Sequence, residues 1–244
     1  MTKNVLRGTA SIAKFESIVF VRNKVVIASS IFVPLLFAVA LLRIPDSIAR
    51  AGALAGLQVA VIAGLGNYVT ATTTLASRRE SHYLKRLRGT RLTKVAILVG
   101  IALPVVVVNL VQIAVVLVWL SISMATPTRS LALIAGTILV EALLIALAVA
   151  TSGVTSSPEY AQITTVPVFT LLVGLAIWDS VTVEDGWEWL RRMVPGGGAI
   201  ELISSSWGDL PMWIALLDVV VSAVWIAAAA YAAPRLFRWD TRTG

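Results

Sequence analysis

Apolar residues fall into long blocks along this chain, parted by short polar stretches, and within the blocks there is no strict alternation. Six blocks, about 25–42, 51–76, 95–123, 130–153, 162–181 and 212–233, each come near the ~20 residues that carry a helix across ~30 Å of hydrocarbon. Spanning β-strands would alternate apolar and polar positions over ~10 residues, so the blocks predict six transmembrane helices. Ahead of them, residues 9–24 mix both kinds of position. Ile12, Phe15 and Val19 share a helical face, with Ile18 and Phe20 nearby, while Lys14 and Arg22 lie elsewhere. That pattern predicts an amphipathic helix in the membrane interface, with residues 1–24 as a cytoplasmic interfacial segment. These residues lack the short basic start, apolar run and small-residue cleavage site of a signal peptide.

The segment 182–211 is too polar to span and too apolar for a free loop. Trp187, Trp189, Leu190 and Met193 recur at helical spacing, Pro195 to Gly198 break the chain, and AIELISSSW resumes a helical pattern. Two short outer helices joined by a glycine turn are predicted, re-entrant in the outer leaflet or lying on it, with tryptophans as anchors. Residues 151–161 form a short loop without Lys or Arg that Pro158 turns.

Between the second and third blocks lies SRRESHYLKRLRGTRLTK, residues 77–94, with seven Lys or Arg and the only histidine, His82. Ser77 and Glu80 have the spacing of a capping box. Tyr83, Leu84 and Leu87 share a face, and Gly89 suits the left-handed position past a helix end. A short helix over 78–88 is predicted, roughly 16 Å long. A loop that only orients the chain needs positive charge alone. A capped basic helix with an apolar stripe is built to dock.

Composition removes the soluble classes. The 244 residues are 58% hydrophobic and 14% charged, against roughly 25% charged in a soluble domain. The chain reads as one all-α integral membrane domain over 1–244. Fifteen of the twenty Lys and Arg fall on the side of the termini and of 77–94. Five, Arg43, Arg50, Arg129, Arg191 and Arg192, fall on the other. The positive-inside rule then puts both termini in the cytoplasm. The net charge of +7 is met by anionic lipid and needs no nucleic acid.

Cysteine is absent, which excludes disulfides and thiolate chemistry. With one histidine besides, no metal site is expected. No GxxxxGK[ST], GxSxG or HExxH pattern is present, so no catalytic residue is assigned and the chain is not expected to be an enzyme by itself. Pro34 and Pro104 sit within spans, where proline kinks a helix. Gln58, Asn67, Asn109, Gln112, Glu141 and Asp218 are polar positions inside spans. Of these, Asn67, Asn109, Glu141 and Asp218 are candidates to line a translocation path, and the alternative for Glu141 is a plain bridge between helices. Asp179, at the outer end of the fifth span, is expected to be solvated.

Two stretches carry a resemblance. From Arg79 to Leu92 the chain resembles the loop between the second and third spans of type-2 ABC transporter permeases. Glu80, Leu84, Leu87, Thr90 and Leu92 match that pattern, while His82, Tyr83 and Arg91 depart from it. Residues 187–202 are similar to the family's outer segment before the last span, with Gly196 to Gly198 where bulkier residues are usual. The resemblance implies a permease in the cytoplasmic (inner) membrane, usually an exporter, working as two copies with two separate ABC ATPase subunits. ATP and Mg would be bound on those partners and no cofactor on this chain. It also implies that 78–88 is the coupling helix. Glu80, Arg86 and Arg88 would make its polar contacts with the ATPase, and Leu84 and Leu87 its packing contacts. Phe15, Val19 and Arg22 would act from the interfacial helix. Few charges in spans rich in Ala, Val, Leu and Ile suit an amphiphilic or hydrophobic cargo: a drug, antibiotic, peptide or lipid. The competing reading is a polytopic membrane protein that transports nothing, such as a sensor, immunity factor or scaffold.

Overall fold

The computed structural model describes residues 2–41, 51–181, 186–237 and 239. Arg43, Arg50, Arg238 and Arg242 of the charge balance, and 182–185 of the mixed segment, lie outside these residues. All regular structure among the described residues is helical. Helix α1 is Thr2–Arg22. A single turn, Lys24–Ile27, and a π-helical segment, Ala28–Phe32, lead into α2, Val33–Leu41. Then follow α3 (Ala51–Glu80), α4 (Tyr83–Arg88), α5 (Lys94–Ser123), α6 (Ser130–Val154), α7 (Pro158–Val181), α8 (Glu188–Met193), α9 (Gly197–Ser204) and α10 (Met212–Leu236).

Five of these helices, α3, α5, α6, α7 and α10, are long and apolar enough to cross a membrane. The sequence predicts six. Over the first predicted span the helix is divided by the π segment, and its apolar stretch, Ser30–Ala40, is shorter than the other five. Local chemistry accounts for several helix starts. Thr93 caps α5, its hydroxyl accepting from the Ala96 amide at 3.2 Å. Pro158 opens α7, where its missing N–H costs nothing.

Helix α3 is buried almost all round and forms the centre. Its Ala55, Ala60 and Ile62 pack with Ile113 of α5, Leu144 of α6 and Ile200 of α9. Helix α10 lies along α6, and α1 along α5. The outward face of α5 exposes Val111, Val115, Val118 and Ile122, and α10 exposes Leu216, Val220 and Val224. Apolar faces this extensive suit contact with lipid hydrocarbon rather than water. The chain is a multi-pass membrane protein.

The short helices α8 and α9 meet at Gly196, whose φ of +89° is a conformation that glycine takes at little cost. Helix α9 is buried, packed on α3, α6, α7 and α10. It belongs to the body of the bundle.

Candidate functional site

At the basic end, α3 does not stop at Ser77. It continues to Glu80, and the Ser77 carbonyl accepts from the Ser81 amide at 3.0 Å as in any helix interior. The expected capping box is therefore absent. The reason lies in Arg79, which is buried. Its guanidinium donates to the carbonyls of Ser152 (2.7 Å) and Gly153 (3.4 Å), and to that of Thr155. These are carbonyls at the C-terminal end of α6, where a cation is favoured by the helix dipole and by unspent acceptors. Docking Arg79 there holds the last turn of α3 in helical form.

The chain then turns at Ser81 and His82. His82 has φ +55°, the left-handed conformation expected instead at Gly89. Gly89 has φ −71° and ends α4 in the ordinary right-handed region. Helix α4 has 6 residues, about half the length predicted. Its Leu84 is fully buried, in a cluster with Ile12, Leu75, Ile97, Ile101 and Phe237, and Leu87 packs against the same cluster. Leu84 thus anchors α4 to the bundle and offers no surface to another chain, because burying it here spares about 1.5–3 kcal/mol of exposed leucine. Glu80, Arg86 and Arg88 are exposed, and Arg88 lies 5.7 Å from the Trp239 ring.

Helix α1 packs on the bundle by one face. Ile12, Ala13, Glu16 and Phe20 are buried, Val19 is half-buried, and Phe15 and Arg22 are exposed. Glu16 helps to fix that face. Its Oε2 accepts from Arg78 Nη2 at 2.8 Å and Nε at 3.2 Å, so the carboxylate must face α3. Arg78 also sits 5.9 Å from the Phe15 ring and 5.5 Å from that of Tyr83, and the two rings stack 5.9 Å apart. Partial burial, reinforced by the Glu16 charge and opposed by Arg78 and Arg86, raises the Tyr83 phenol above its ordinary range. Tyr83 therefore meets Arg78 as a neutral ring. Sequence spacing held no sign of this knot, which joins α1, α3 and α4.

Of the four candidate path residues, three come together in the middle of the bundle. Asn67 Nδ2 donates to Glu141 Oε2 at 2.6 Å, and Asn109 Nδ2 donates to Glu141 Oε1. All three are buried. Asn67 lies in a π-helical segment of α3, Ala63–Val69, a distortion common where a helix carries function. Gly66 beside it leaves room for Asn109, whose Oδ1 a Cβ at that position would overlap. Glu141 thus bridges α3, α5 and α6.

Asp218 is elsewhere, also buried, 3.6 Å from Arg192 Nε. It borders an ion cluster at the end opposite the basic loop. Arg191 pairs with Asp179 (3.0 Å) and Glu201 (2.6 Å), and Arg192 with Glu201 (2.9 Å). Asp179 is therefore an ion-pair partner of Arg191, its side chain 10% exposed, and not a freely solvated residue. The cluster ties α8 and α9 to α7 and α10. It escaped the sequence reading, although two adjacent arginines in an apolar segment demand acidic partners. Among the described residues no group of three or more acidic or His side chains is arranged to hold a metal ion.

A family model described as ABC-2 family transporter protein matches residues 51–233. No curated protein matches the chain.

Proposed function

The chain belongs to the ABC-2 transporter family, and on that premise we propose that it is the permease of an ATP-driven exporter, coupled to a separate ABC ATPase subunit. The observation that carries this reading is the family match, which takes in the basic loop and runs from the start of α3 into the last turn of α10.

The geometry of the basic end supports the coupling part. Glu80, the last residue of α3, and Arg86 and Arg88 of α4 are exposed, while Leu84 and Leu87 of α4 grip the bundle. A push on α4 passes through one short turn to α3, from α3 through Arg79 to α6, and through Arg78 to α1. The joints are ionic or packed contacts that move as units, as rigid-body rocking requires. Two permease copies, identical in the simplest case, would stand over two ATPase subunits that bind Mg and ATP. The basic end and both termini would face the cytoplasm at the inner membrane. The divided helix over 24–41 would complete a sixth crossing, α1 would ride in the interface, and α8 and α9 would form the re-entrant outer segment. Cargo would be amphiphilic or hydrophobic.

The test is ATP hydrolysis and transport in the reconstituted complex. Glu80→Ala is expected to leave assembly intact and to cut cargo-stimulated hydrolysis and transport together, at least fivefold. Unchanged transport at normal expression would remove Glu80 from the coupling role.

A further inference from the structure

Helix α4 has 6 residues, and isolated helices under ~12–15 residues are marginal in water. Its place is therefore set by what grips it. Leu84 supplies one grip near its start. A second comes from the far end of the sequence.

Helix α10 lies along α6 and buries only small side chains toward the basic end, Ala229 and Ala233. The Phe237 amide makes the last bond of α10, to the Ala233 carbonyl at 2.8 Å, and the backbone then turns extended, with Phe237 ψ at 119°. Phe237 is 6% exposed. It falls in the Leu84 cluster with Ile12 of α1, Leu75 of α3, and Ile97 and Ile101 of α5. Trp239 meets Phe237 edge-on, ring centroids 5.1 Å apart, and the guanidinium of Arg88, the last residue of α4, lies 5.7 Å from the Trp239 ring. The approach is built into α6. A Cβ at Gly153 would overlap the Leu236 carbonyl and crowd Phe237 Cα, so glycine lets the two backbones touch. The Gly153 carbonyl also accepts from Arg79 at 3.4 Å, so α3, α6 and the end of α10 meet at one residue.

We propose that Leu236, Phe237 and Trp239 form a strap that ties α4 to the end of α10, with Phe237 as its positioning residue, so that the last span moves together with α4. The shared motion rests on the permease reading above; the strap does not.

The test is hydrogen exchange of the full chain in nanodiscs. Phe237→Ala should speed exchange over 83–88 roughly fivefold or more and leave that of α9 as it is. Phe237→Leu, which keeps an apolar group in the cluster, should restore most of the protection. Trp239→Ala, at a half-buried position, keeps Phe237 and should fold even if Phe237→Ala does not. It should speed exchange at the end of α4 by roughly twofold. Exchange over 83–88 at the wild-type rate in a folded variant, or an equal rise in α9, would overturn the strap. The shared motion is read in the complex with the ATPase subunit, on adding ATP and Mg. Exchange over 229–236 should change together with that over 83–88. Phe237→Ala should abolish the response of 229–236 and leave that of 83–88, and Phe237→Leu should bring it back. A response of 229–236 that persists in Phe237→Ala, or is missing from the wild type, would overturn the shared motion. A wild-type chain that binds no ATPase subunit would remove the permease reading and leave the strap to stand on the exchange of the chain alone.

Discussion

The two ends of the bundle are held by charge in different ways. At the basic end, Arg78 meets one carboxylate, Glu16, and Arg79 meets backbone carbonyls of α6. Each arginine there has its own set of acceptors. At the opposite end, Arg191 and Arg192 share Glu201, and Asp179 and Asp218 crowd the same cluster. There the acids outnumber the bases, and no partner can leave without stranding another. The first arrangement suits joints that transmit a motion. The second suits a clamp that keeps α8 and α9 seated between α7 and α10.

Breaking the clamp should have the largest effect. Arg191→Ala takes from Asp179 its arginine and leaves Glu201 with Arg192 alone, and breaking a buried pair costs about 3–5 kcal/mol. Poor expression or a strongly lowered melting temperature in detergent is expected, and a melt within a degree of wild type would show that the cluster does not hold the outer helices. Next comes Arg79→Ala. It strips donors from α6 carbonyls, at about 2–3 kcal/mol, and should let the last turn of α3 fray. Hydrogen exchange over 77–83 should rise, while that of α10 stays the same. Arg79→Lys should restore only part, since one ammonium cannot reach all the carbonyls.

A smaller effect is expected for the Glu16–Arg78 pair. A double-mutant cycle with Glu16→Ala and Arg78→Ala should yield about 1 kcal/mol of coupling, because Arg78 is partly exposed and keeps its two rings. A coupling near that expected at the opposite end would erase the contrast. Glu80→Ala, at an exposed position, should change stability by less than about 0.5 kcal/mol. Its effect belongs to function alone.

The long helices were legible because the apolar blocks are their own signal. The predicted 95–123 and 130–153 became Lys94–Ser123 and Ser130–Val154. The junctions were less so, because distant partners decide them. Ser77 and Glu80 have the spacing of a helix start, yet Arg79 finds its acceptors on α6, over seventy positions away, and the helix runs on. The apolar positions of α1 predict an interfacial helix, and nothing in their spacing marks Glu16 as the partner of Arg78. Leu84 matches a docking pattern but is used inside the bundle. Among polar residues in the spans, type alone marked Asn67, Asn109 and Glu141 as candidates. It did not show that they meet, nor that Asp218 belongs with Arg192. Side chains at spacings of tens of residues share no periodicity, so the pairing becomes visible only in three dimensions.

The central claim, that this chain is the membrane half of an ATP-driven machine, is tested most directly by what it carries with it. The chain should be purified in mild detergent and its companions identified by mass spectrometry. A stoichiometric ABC ATPase subunit, lost when α4 is replaced by a flexible glycine-serine linker, is the expected result. A chain that purifies alone from several detergents would contradict the claim and favour a membrane protein that transports nothing.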